Sequence, residues 1–275
     1  MRKKIRKLKK IKKRRSFLKN RFFLFGVAGA VCVELLFYGI ALFPFLQIQK
    51  VHTEGNEEVS ENKIKSVVLD RLWGKFFFFP TASILLVDTQ GMREALLGAI
   101  LELESVNIQR KFPNILTIAV QERRVVALWC QPPHFMISGG GQELRCVAID
   151  KEGVAFKEAQ ASPESITMYG QSQPLSLGET VVKKDVLGAI LNFAREARRR
   201  SLFMQGDPSF EIISDSQIHA HTGDGWSVYF THTQDLSWQI AKLQTVLENK
   251  IPLAKRKKLE YIDVRFGDQA YFKYR

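Results

Sequence analysis

His219 and His221 come closest to a chemical constellation, because two imidazoles two positions apart on a strand share one face and offer two nitrogens to a metal. No carboxylate or third histidine stands at a suggestive sequence spacing, so the pair reads as a solvated strand face. Asp263 and Arg265 share a face opposite Ile262, Val264 and Phe266 and read as an ion pair. Cys130 and Cys146 do not have metal-ligand spacing; in an oxidising compartment they either pair or stay as small buried hydrophobes. The glycines Gly139, Gly140 and Gly141 precede no helix and no lysine, and read as a loop. A nucleophile elbow, a zincin helix, a phosphate loop and paired-cysteine zinc spacing are all missing from the sequence. No catalytic, cofactor-binding or metal-ligating residues and no small-molecule substrate are expected.

The elements that carry these residues begin with an anchor. The chain has 275 residues, enough for about two domains, and its 45% apolar and 25% charged composition excludes wholesale disorder and collagen-like repeats. The net charge of +13 is local. Every charged residue from Arg2 to Arg21 is basic, and the rest of the chain is balanced. Phe22 to Leu46 then carries a single charge, Glu34, where about 20 apolar residues cross a hydrocarbon core. This stretch is longer than a signal-peptide apolar region and lacks its cleavage site, so it reads as an uncleaved transmembrane signal anchor. The basic flank keeps residues 1–21 cytoplasmic and puts the residues after Leu46 outside the cytoplasm. The anchor accounts for the basic run, so no nucleic-acid partner is expected. Glu34 is either a protonated carboxyl tolerated in one helix or a contact with another transmembrane helix.

Beyond the anchor, the spacing predicts strand, helix, helix, strand, strand. Val51 and Thr53 look extended and end at Gly55-Asn56. Ile64, Val67, Val68 and Leu72 form one helix stripe, and Met92, Ala95, Leu96 and Ala99 form a second. Val106 to Arg110 and Leu116 to Val120 alternate about a turn at Pro113-Asn114. Between the helices, Phe76 to Phe79 reads as a core plug, an interaction surface or a membrane-interface contact. From Arg123 onward the pattern is mostly strand with two helices, one through Val186, Ile190, Phe193 and Ala197 and one through Ile240, Leu243 and Leu247. Ile218 and Ala220 alternate before Thr222 to Gly225, and Trp226, Val228 and Phe230 alternate after it, as in a hairpin. Leu259 to Phe266 and Ala270 to Tyr274 close the chain as two strands.

Several strings in this order resemble the FtsQ/DivIB family of bacterial cell-division proteins. They are Val51-His52-Thr53-Glu54-Gly55-Asn56, Lys111-Phe112-Pro113-Asn114-Ile115-Leu116, Val120-Gln121-Glu122-Arg123, Ala148-Ile149-Asp150-Lys151-Glu152-Gly153 and Tyr261-Ile262-Asp263-Val264-Arg265-Phe266. The resemblance implies an α+β chain: a cytoplasmic tail (1–21), a single transmembrane helix (22–46), a POTRA domain (47–122) and a mainly antiparallel β domain with two helices (123–275). It implies a noncatalytic inner-membrane scaffold at the division site, recruiting FtsB- and FtsL-type single-span proteins for septal wall synthesis. Strand addition at the last β-strand is the expected binding mode, with Phe266, Tyr271, Phe272 and Tyr274 at the partner edge and Glu34 as a transmembrane contact. Two alternatives stand beside it. One is a membrane-anchored wall hydrolase or peptidase with an unrecognised site. The other is an outer-membrane assembly factor, for which too few strands remain to build a barrel.

Overall fold

The computed structural model describes residues 21–41, 43–72, 75–76, 79–80, 82–131, 145–162, 165–170, 176–214 and 216–275. The Gly139 to Gly141 loop and the side chains of Phe76 to Phe79 lie outside the described residues. Helix α1 runs Arg21–Ala41, ending short of the Leu46 expected from sequence, and a 3-10 turn at Pro44–Leu46 comes after it. Pro44 explains the break, since it has no N–H for a preceding carbonyl and its ring crowds the turn before it. Counted over the described residues alone, no helix is long and apolar enough to cross a membrane.

The chain divides into two compact units. The first takes in the residues up to Glu54, Glu61–Glu94 and Asn107–Ala119; the second takes in Gly55–Ser60, Ala95–Val106 and Val120–Arg275.

Strand β1 (Lys50–Glu54), helix α2 (Glu61–Leu72), helix α3 (Thr89–Ala99), strand β4 (Leu103–Lys111) and strand β5 (Ile115–Glu122) keep the expected order. Two short strands, β2 (Lys75–Phe76) and β3 (Phe79–Pro80), pair between the helices. β1 lies parallel to β5 with Val51 opposite Leu116 and Thr53 opposite Ile118, and β4 flanks β5 on its other side. The helical period buries Ile64, Val68 and Leu72 on α2, while the strand period buries Leu116, Ile118 and Val120 on β5.

The remaining strands are β6 (Ala127–Cys130), β7 (Cys146–Ile149), β8 (Ala155–Ala159), β9 (Thr167–Gly170), β10 (Ser209–Ser214), β11 (Gln217–His221), β12 (Ser227–Phe230), β13 (Leu259–Asp263) and β14 (Tyr271–Tyr274). They form a nine-stranded sheet in the order β14-β13-β12-β11-β10-β9-β6-β7-β8. The sheet is mixed, which corrects the mainly antiparallel expectation. β9 runs parallel to β6 and β10, and β12 runs parallel to β13. A parallel pair needs a crossover, and the chain supplies helix α4 (Lys184–Arg199) between β9 and β10 and helix α5 (Leu236–Asn249) between β12 and β13, with a short α6 (Leu253–Arg256) after it.

Both crossovers step the same way across the sheet from strands of the same direction. Right-handed crossovers then place α4 and α5 on one face. That face holds the large core, where Ile218, Ala220, Val228, Phe230 and Ile262 of the strands join Val186, Ile190, Phe193, Ile240, Leu243 and Leu247 of the helices. Side chains alternate along a strand, so His219, His221, Tyr229, Tyr261 and Asp263 lie on the face that the helices leave uncovered. Cys130 and Cys146 stand opposite each other on β6 and β7 and form a disulfide with Cα atoms 4.0 Å apart, settling the open choice in favour of pairing. They sit with Leu128, Ala148 and Phe156 in a smaller buried cluster.

Phe193 is fully buried, stacked on Phe230 with ring centroids 4.3 Å apart and edge-on to Phe210 at 6.0 Å. Phe193→Ala is expected to lower stability by about 3–5 kcal/mol, read as a loss in denaturant midpoint, because it empties the contact between α4 and the sheet.

Candidate partner interface

β14 is the last strand of the nine-stranded sheet, so one row of its backbone donors and acceptors has no strand neighbour among the described residues. Its inner side pairs with β13, with Asp263 opposite Tyr271, Ile262 opposite Phe272 and Tyr261 opposite Lys273. The four aromatic residues expected at this edge are brought close together but do not share one face. Tyr271 points to the open face with Tyr261, whereas Phe272 and Tyr274 point to the helix side with Ile262 and Leu259. Phe266, in the turn, is 52% exposed, Tyr271 52% and Phe272 41%, while Tyr274 is half-buried against the core. Phe266 meets Tyr271 edge-on at 5.5 Å, and Phe272 meets Tyr274 edge-on at 5.7 Å. An added strand would therefore find an aromatic pair on each side of β14.

A residue without any sequence signal holds this hairpin in place. Lys242 of α5 is buried, and its ammonium donates to the carbonyls of Val264 at 2.7 Å, Gly267 at 2.6 Å and Phe266 at 3.3 Å. Burial pulls the amine below the ordinary lysine value. Trp238, one turn earlier on α5 and 51% exposed, donates its indole N–H to the Gly267 carbonyl at 3.3 Å. Asp263 is buried, and its carboxylate accepts from Arg265 Nη2 at 2.6 Å and Nε at 2.9 Å, confirming the local ion pair expected from sequence. Lys273 pairs with Glu260 at 2.7 Å, and the Arg275 N–H donates to the Lys258 carbonyl at 2.8 Å. The strand is thus fixed along its inner side, and its outer side is the open one.

Three of the other signature strings, those at residues 51–56, 120–123 and 148–153, come together around Glu122 and Arg123. Glu122 accepts from three consecutive amides, Glu57 at 2.7 Å, Glu58 at 2.9 Å and Val59 at 2.9 Å. Burial acts to raise this carboxyl, but the three donors outweigh it and hold it below the ordinary glutamate value. Gly55 opens that segment with φ of +84°, and a Cβ there would press on the Val120 carbonyl oxygen, so only glycine fits. Arg123 donates from Nε to the Leu101 carbonyl at 3.0 Å and from Nη1 to buried Asp150. Asp150 also accepts from the amides of Glu152 and Val154, each at 2.9 Å, closing the Asp150-Lys151-Glu152-Gly153 turn.

Two variants of the full chain in detergent test these bonds. Lys242→Met is expected to cost about 2 kcal/mol and to speed hydrogen exchange across Val264 to Ala270, because it leaves carbonyls unsatisfied behind the hairpin. Glu122 has its pKa lowered by folding, so its stabilisation is present above pH 4.5 and is lost as pH falls through the folded value. Glu122→Gln is expected to reduce stability by about 1–2 kcal/mol at neutral pH and to flatten the acid limb of a melting-temperature profile.

No curated protein matches the sequence. Residues 46–123 match the family model described as POTRA domain, FtsQ-type, which spans the strand-helix-helix-strand-strand order and ends at Arg123. The segment is a POTRA domain of the FtsQ type, and this match supports the resemblance to the FtsQ/DivIB family that the signature strings carry.

Proposed function

We propose that the chain is a noncatalytic scaffold of the bacterial division machinery, anchored by one helix in the plasma membrane, with its basic N-terminus in the cytoplasm and the residues after Leu46 outside. The FtsQ-type POTRA domain supports the division role. The anchor rests on the sequence from Phe22 to Leu46, which carries only Glu34 as a charge. Along α1, Phe23, Leu24, Phe25, Val31, Val33, Leu35 and Leu36 are all exposed. The Cys130–Cys146 disulfide supports an oxidising compartment for the β domain. Glu34, exposed on α1, is the polar group at which a second transmembrane helix would pack.

The observation that carries the binding role is β14, an edge with no outer strand neighbour among the described residues, with an aromatic pair on each side and held in place by Lys242. Such an edge accepts an added strand: backbone hydrogen bonds provide affinity, and side-chain contacts on alternating faces provide specificity. The partners of this reading are FtsB- or FtsL-type single-span division proteins, docking through their extracytoplasmic segments.

For the full chain in nanodiscs, Tyr271→Ala and Phe272→Asp are each expected to weaken binding of an FtsB-type extracytoplasmic segment by about tenfold or more while melting behaviour is kept. Unchanged binding in both variants would contradict docking at β14. Cleavage of peptidoglycan or peptide by the wild-type chain would contradict the noncatalytic assignment. Protease added outside intact spheroplasts is expected to digest the region after Leu46 and to spare the N-terminal tail; the reverse pattern would contradict the orientation.

A further inference from the structure

The uncovered face of the sheet holds a second constellation, distant in residue type and position from the β14 edge. His219 and His221 of β11 project from that face two positions apart, and β10 places Glu211 directly opposite His219 in the antiparallel register. One donor atom from each of Glu211, His219 and His221 lies within 4.8 Å of the other two, the one such three-ligand group among the described residues. Sequence spacing could not reveal Glu211, because its proximity is created by the turn between β10 and β11. The structure supplies the third ligand that the histidine pair lacked.

The surrounding groups are arranged as metal-site support is. His221 Nε2 lies 3.1 Å from Glu211 Oε2, and His221 Nδ1 lies 2.9 Å from the Ser227 hydroxyl. The hydroxyl can serve Nδ1 while Nε2 faces the carboxylate, the relation by which a supporting contact fixes the tautomer of a ligating histidine. A cation would sit between Nε2 and Oε2, in place of their direct contact. His219 is stacked on Tyr229 with centroids 3.8 Å apart, which limits its rotation. The Gln217 amide nitrogen lies 2.7 Å from His219 Nε2. Arg265 also acts on His219, and its charge is matched by Asp263, which accepts from Arg265 Nη2 at 2.6 Å.

We propose that Glu211, His219 and His221 form a binding site for a divalent transition-metal ion of the Zn2+ type. Two imidazoles and one carboxylate suit this class. A tetrahedral ion with bonds of about 2.1 Å needs donors about 3.4 Å apart, a closure that side-chain torsions of half-exposed residues supply. Glu211 and His221 side chains are each 41% exposed, leaving the fourth position to water or to an incoming ligand. Binding would replace the direct contact between His221 and Glu211 and would tie β10 to β11.

The test is titration of the full chain in detergent with Zn2+ alone, by calorimetry, together with Co2+ substitution read by its visible absorption. The wild type is expected to bind one equivalent with a rise in melting temperature. Glu211→Gln and His221→Ala are each expected to weaken binding by about tenfold or more. His52→Ala, which removes an exposed histidine elsewhere, is expected to leave it unchanged. Each variant is first melted without metal, so that a folding defect is separated from a ligand loss. Absence of wild-type binding, binding at wild-type strength by Glu211→Gln and His221→Ala, or loss on His52→Ala would each overturn the site.

Discussion

Two adjacent side chains with opposite charge organise the segments that would otherwise be loose. Glu122 and Arg123 end β5 and face different groups, one collecting the amides of Glu57, Glu58 and Val59 and the other the Leu101 carbonyl and the Asp150 carboxylate. A carboxylate satisfies several N–H donors at once and a guanidinium several acceptors, so this dipeptide meets the needs of a tight turn, a helix exit and a hairpin turn together. The grouping of Gly55–Ser60 and Ala95–Val106 with the later chain arises from these bonds. Replacing Gly55 or Asp150 would disturb the same node.

The mixed sheet has a parallel consequence for function. Two crossovers of the same hand and direction put α4 and α5 on one face, and the chain then ends on the strand beyond the second crossover. An edge strand and an uncovered face are products of that topology. The edge is kept from fraying by a cation drawn from the core side: Lys242 has its aliphatic stem in a helix stripe and its ammonium under the turn that launches β14. A buried lysine is costly unless its donors are taken up, and here the carbonyls of the turn take them up.

Much of this is legible in the residues. Alternation in Ile218-Ala220 and Trp226-Val228-Phe230 marks the β11-β12 hairpin, and helical spacing marks α4 and α5, because each pattern repeats several times on a buried face. β9 and β10 carry no such strand signal: each has one deeply buried residue, Met168 and Phe210, which is too few to set a period. Parallel pairing leaves no local turn signal, so the mixed character of the sheet is also invisible in sequence. At the partner edge the residue types are legible and their faces are not. Period two separates Tyr271 from Phe272, and a bulge between Leu259 and Tyr261 shifts the pairing that simple alternation would assign. Lys242 carries no signal, since one lysine beside an apolar stripe normally reads as solvated.

Whether β14 is the surface on which a partner strand is laid is tested most directly by hydrogen exchange of the full chain. Exchange is read residue by residue, with and without the extracytoplasmic segment of an FtsB-type partner. New protection is expected to concentrate in the amides of Tyr271 to Arg275, with the β8 edge of the same sheet unchanged. Protection that appears elsewhere while β14 exchanges as before would contradict docking at this edge.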